Sequence, residues 1–198
     1  MQLMKKIFII SFFLILISCA ADKIYILVEP GNVEIEKIYS VNTSKSWSQF
    51  QDKEYNFLFW TVDGYTLERI VFFKPIEEGT SLFDHDSFFT KENEKRPIFD
   101  SKMNKFEIKE FFENCIIWSR EFTNFETTNI KNYKLGDIDG VSFDIKAKNE
   151  LGLNYKGFAV VGIKNKKFYS VYFIATEMEF YDRYKKEAEK IISSVKIL

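Results

Sequence analysis

YKGFAVVGIKNKKFYSVYFIAT, residues 155–176, is the stretch whose reading decides the fold. Residues 155–163 and 168–176 are rich in β-branched and aromatic side chains, the types that pack best on a pleated surface. The polar 164–167 link between them is far too short for a crossover helix, so the two strands run antiparallel. Outward from this pair, residues 141–148 form a third strand-like run, joined through the polar 149–154, which predicts an antiparallel meander. Beyond it, residues 177–194 place Phe180, Tyr184, Ala188, Ile191 and, just past the end, Val195 at helical spacing. Charges of both signs occupy the other faces, so the closing helix has a solvated surface and no basic docking patch.

Upstream, Asp63-Gly64 separates residues 55–62 from 65–73, two runs rich in aromatics. Asp-Gly suits a two-residue turn with positive φ, which predicts a β-hairpin. Residues 24–28 read as a strand ended by Pro30-Gly31. From Val33 to Val41 apolar and polar residues alternate, which predicts one half-exposed strand, followed by a polar loop over 42–48 that carries Trp47. Residues 74–103 are irregular, with phenylalanines that argue for partial anchoring on the body. Asn104 followed by Glu107 is a capping-box pair, and Ile108, Phe111, Phe112, Cys115 and Ile116 continue it as the apolar face of a helix. Residues 118–130 are read as a strand and residues 135–140 as a turn. Strands, a helix, more strands and a closing helix make an α+β chain: a mainly antiparallel sheet flanked by helices.

The 22 Phe, 10 Tyr and 3 Trp are ample for a core that needs no disulfide or metal staple. With 28 basic and 29 acidic side chains, the strong positive field that nucleic-acid binding requires is missing.

The N-terminus sets location. Lys5 and Lys6 precede an apolar run over residues 7–17, broken only by Ser11. A spanning helix needs about 20 apolar residues, so this run reads as a leader. Its end, Leu16-Ile17-Ser18-Cys19, resembles the lipobox of bacterial lipoproteins. That resemblance implies cleavage between Ser18 and Cys19, a diacylglyceryl thioether on Cys19 and acylation of the new amino group. An uncleaved anchor or an ordinary secretory signal is the alternative. Residues 1–18 are then the signal peptide, 19–23 a lipidated tether and 24–198 one domain. Ala20 rather than Asp after the cysteine points, by the same resemblance, to the outer membrane facing the periplasm. Cys115 is left as the remaining thiol, and its apolar neighbours predict that it is buried.

The order of elements also resembles the PsbP/Mog1-like α/β/α sandwich. The similarity is carried by Phe168-Tyr-Ser-Val-Tyr-Phe-Ile-Ala-Thr176, then Phe180, Tyr184 and Ile191-Ile192-Ser193-Ser194-Val195. Trp60-Thr-Val-Asp-Gly64 with Phe72-Phe73-Lys74 is similar to uncharacterised proteobacterial proteins. The resemblance implies a partner-binding or assembly role rather than catalysis, and a fold alone assigns no task.

The candidate chemistry is thin. Asp84-His85-Asp86 holds the single histidine, but three consecutive residues seldom supply a metal's converging ligands. Asp137 and Asp139 before Gly140 lack the rest of a calcium loop. The pair Glu77-Glu78 need not converge as acid and base, and neither a G-x-S-x-G elbow nor a phosphate loop occurs. The expectation is a non-catalytic, lipid-anchored envelope module without cofactor or metal, touching an envelope protein through Trp47, Phe88 and Phe89. The alternative is a carrier or sensor of an apolar small molecule, held in a pocket between sheet and helices.

Overall fold

The computed structural model describes residues 24–52, 55–83 and 95–198. Among these residues twelve strands and two helices follow in chain order. They are β1 (Ile24–Val28), β2 (Gly31–Ile35), β3 (Tyr39–Thr43), β4 (Trp47–Gln51), β5 (Phe57–Thr61), β6 (Glu68–Phe73), β7 (Ile76–Glu77), α1 (Lys105–Trp118), β8 (Asn124–Leu135), β9 (Ile138–Lys148), β10 (Asn154–Lys164), β11 (Lys167–Thr176), α2 (Phe180–Ser193) and β12 (Lys196–Ile197).

The large sheet runs β1-β4-β5-β6-β11-β10-β9-β8, antiparallel throughout, with the short β7 pairing with β11 beside β6. The predicted meander is its right half. Gly157 marks close approach there: a Cβ on it would lie 2.2 Å from the Phe173 carbonyl oxygen, so a larger residue would force the backbone to shift. A second sheet, β12-β3-β2, ties the C-terminus to the N-terminal hairpin.

Because strand side chains alternate, the large sheet buries two separate cores. On one face Val71, Phe73, Val161, Tyr172 and Ile174 meet α1 together with Ile76, Leu82 and Phe99. On the other Ile70, Phe72, Val160, Val171 and Phe173 meet α2 and the small sheet. Phe112 of α1 lies 5.5 Å from Phe143 and 5.7 Å from Tyr172, ring centre to ring centre. Truncating so enclosed a ring costs about 3–5 kcal/mol. The capping box is formed as expected, with Asn104 accepting from the Phe106 and Glu107 amides and Glu107 from the Asn104 amide. The Tyr39 hydroxyl donates to the Phe73 carbonyl at 2.8 Å, pinning the small sheet to the large one.

Several expectations are corrected. The 33–41 run is not one strand but the β2–β3 hairpin, turned by Glu36 and Lys37 at φ 52° and 55°. Trp47 is not in a loop; it opens β4, paired with Val28. The Asp63-Gly64 hairpin exists, but its strands are joined by the longer 62–67 loop, since Trp60 pairs with Ile70. The strand foreseen over 118–130 starts at Asn124 and runs on to Leu135, narrowing the 135–140 turn to Gly136-Asp137.

Candidate functional site

Of the residues singled out from the sequence, Ser18, Cys19, His85, Phe88 and Phe89 lie outside the described residues. Trp47 is corrected as a contact residue. It is 1 % exposed, its indole N–H donates to Thr43 Oγ1 at 3.0 Å, and its ring packs on Trp60 and Tyr184. A ring so placed is core and offers a partner nothing. Cys115 is fully buried beside Ser81. Burial pushes its thiol up to about 11, which removes the thiolate a reactive cysteine needs.

The sequence did not single out a charged cluster on β6. Arg69 is enclosed on the α1 side of the sheet, where it is ion-paired with Glu121. One guanidinium nitrogen donates to the Tyr65 carbonyl at 2.9 Å, and the group lies 4.2 Å from the Tyr65 ring. The Tyr65 hydroxyl donates to Glu121 at 2.7 Å. Burial works against the Arg69 charge, and the Glu121 carboxylate together with the Tyr65 and Tyr172 hydroxyls more than offsets it. Burial pushes the Tyr172 hydroxyl up to about 12 and that of Tyr65 well above its ordinary range. A cation paired with a carboxylate, among phenols held protonated, is a brace between the 62–67 loop and residues 119–123. Among the described residues no three His, Cys, Asp or Glu side chains converge to hold a metal.

Two open grooves flank the helices. One, of about 490 Å³, lies between Pro97, Ile98, Lys102 and α1 residues Glu107, Glu110 and Phe111. The other, of about 540 Å³, has a floor of Tyr133, Phe158 and Val160 and a rim that includes Lys131, Lys186 and Glu189. Both open to solvent and carry charged residues, unlike the enclosed apolar pocket a carrier uses.

The feature that stands apart is the β1 edge. Tyr25, Ile26 and Leu27 are 63 %, 45 % and 63 % exposed, on a strand with no charged residue and, among the described residues, with one side unpaired. Tyr25 continues a row of rings inward, 5.3 Å from Phe50, which stacks on Phe59 at 4.9 Å. Tyr55 and Val62, on either side of β5, are exposed too. The opposite edge, β8, is built otherwise. It breaks register between Thr128 and Lys131, holds Asn129 at φ 56°, and exposes Lys131, Asn132 and Lys134.

No family profile matches the chain, and no curated protein matches it by sequence. A crystal structure from Bacteroides thetaiotaomicron VPI-5482 aligns with TM-score 0.47 and 15% identity, over 86% of this chain and 49% of that one. The chain therefore spans about half the length of that protein. The solution structure of cyanobacterial PsbP (CyanoP) from Synechocystis sp. PCC 6803 aligns with TM-score 0.52 and 10% identity, over 91% of this chain and 96% of that one. That likeness bears on architecture: the chain has an α+β, PsbP-like fold.

Proposed function

We propose that the chain is a non-catalytic interaction module of a bacterial cell envelope, fixed to the membrane by lipid on Cys19. The outer membrane, facing the periplasm, is the side that Ala20 favours. The observation that carries this reading is an exposed, uncharged strand that begins five residues beyond Cys19. A strand of that kind is hard to keep in free solution and easy to keep beside a surface. Anchoring follows from simple magnitudes. Each buried methylene contributes about 0.8 kcal/mol, so one acyl chain holds marginally and two or three hold firmly. The envelope protein it would serve is unidentified, with Phe88 and Phe89 still the candidate contacts.

Cys19→Ala is expected to leave unprocessed precursor or protein free in the periplasm, read by fractionation and intact mass. A variant that stayed membrane-bound at mature mass would overturn the anchor. Cross-linking in the native envelope tests the partner, and Phe88→Ser with Phe89→Ser is expected to remove a specific adduct. Larger trims of the 74–103 region would mislead, because Leu82 and Phe99 are buried, Phe99 against Phe111 and Phe168.

A further inference from the structure

We infer that the β1 edge rests in the headgroup layer of the bilayer that holds Cys19, so that the sheet stands on this edge with β8 farthest from the membrane. This rests on the anchored reading above. From Cys19 to Ile24 there are five Cα steps, which span at most about 17 Å when fully extended. The chain enters the fold at β1 itself, so the strand nearest the membrane is the one that exposes Tyr25, Ile26 and Leu27. Their chemistry suits that layer: an amphipathic phenol with two aliphatic side chains and no charge to desolvate.

Depth follows from the backbone. An edge strand carries unpaired N–H and C=O groups, which the hydrocarbon core cannot satisfy. Phosphates, esters and water in the headgroup layer can. β1 therefore lies at headgroup depth and does not insert. The far edge supports the orientation. Across seven strand spacings, about 34 Å, β8 carries a bulge and exposed lysines, the devices that keep a water-facing edge from pairing with other chains. β1 has neither, as expected of an edge that another surface covers.

The competing occupant is a second copy of the chain, paired β1 to β1. Both are read in one experiment on the full-length chain, purified from membranes and reconstituted into phosphatidylcholine–phosphatidylglycerol vesicles. Intact mass first establishes lipid on Cys19. A nitroxide is then placed through Tyr25→Cys, Leu27→Cys or, as reference, Leu151→Cys, which is 85 % exposed in the β9–β10 turn. Buried Cys115 stays unlabelled. The expected result is an oxygen-to-nickel accessibility ratio several-fold higher at 25 and 27 than at 151, with values typical of headgroup depth. Equal ratios at all three positions, with the lipid present, would overturn the edge contact and leave the anchor standing. Spin–spin broadening at 25 that disappears on dilution with unlabelled chain would give the edge to a second copy and overturn it too. A bare thiol at Cys19 would remove the anchor and this inference together, and mass alone reports that.

Discussion

β6 and β1 are both short strands of the same sheet, and they invert the usual rule for what is inside. β6 carries Glu68 and Arg69, yet none of its six residues is more than 2 % exposed. β1 carries no charge, yet three of its five residues are open to solvent. Rank in the sheet, not hydropathy, sets the difference. β6 lies between β5 and β11 with a core on each face, so its charges had to find partners inside the protein. β1 ends the sheet, so its apolar side chains lack partners within the described chain. The middle of the sheet is thus where stability is held, and the β1 edge is where something outside the molecule is expected.

The largest effect should come from breaking the middle. Glu121→Gln leaves the Arg69 guanidinium enclosed against a neutral group, and its Nε already has no partner. Removing one member of such a pair costs about 3 kcal/mol or more. Urea denaturation should show that loss, while label accessibility at position 25 stays as in the parent. A loss under about 1 kcal/mol would mean that the pair behaves like a surface ion pair and is no brace.

A smaller, pH-dependent effect belongs to Glu68, which faces the opposite core. Its carboxylate accepts from the Thr61 hydroxyl and from the Val62 and Asp63 amides, while its second oxygen has no partner. Burial raises its pKa despite those donors. A carboxyl whose pKa is higher folded than unfolded binds its proton more tightly in the native state. Its contribution to stability is therefore greatest below the ordinary carboxylate range and is lost as pH rises through the folded value. Glu68→Gln should gain on the parent as pH rises above the ordinary carboxylate range, seen as a growing difference in urea midpoint. A difference that stays constant with pH would assign the effect to packing instead.

Much of this arrangement is legible in the chain, and the rest is not, for physical reasons. The meander, the capped helix and the closing helix declare themselves because their signals are local: period two, period 3.6, a cap and its partner three residues on. The β2–β3 turn does not, because Glu36 and Lys37 adopt positive φ without glycine or asparagine to advertise it. Trp47 sits among polar neighbours, and only its pairing with Val28 of β1 shows it to be core. Arg69 and Glu121 are 52 positions apart and meet only once the sheet and α1 are assembled. The exposure of β1 was hidden for the opposite reason. An apolar run reads as buried until its rank in the sheet is known.

The smallest effect on stability should accompany the most telling change at the edge. Leu27 is exposed, so Leu27→Glu and Leu27→Lys should each shift stability by no more than about 0.5 kcal/mol. Either charge also guards the strand against pairing with another strand. If β1 met a second copy, both variants would weaken that contact alike. A bilayer bearing phosphatidylglycerol tells them apart, because its surface attracts lysine and repels glutamate. With a nitroxide at 25, Leu27→Lys should keep the lipid-like accessibility of the parent, and Leu27→Glu should move towards the water-exposed value at 151. On vesicles of phosphatidylcholine alone that difference should shrink. Equal loss in both variants, whatever the lipid, would point to a strand-forming partner and end the case for an edge that rests on the membrane.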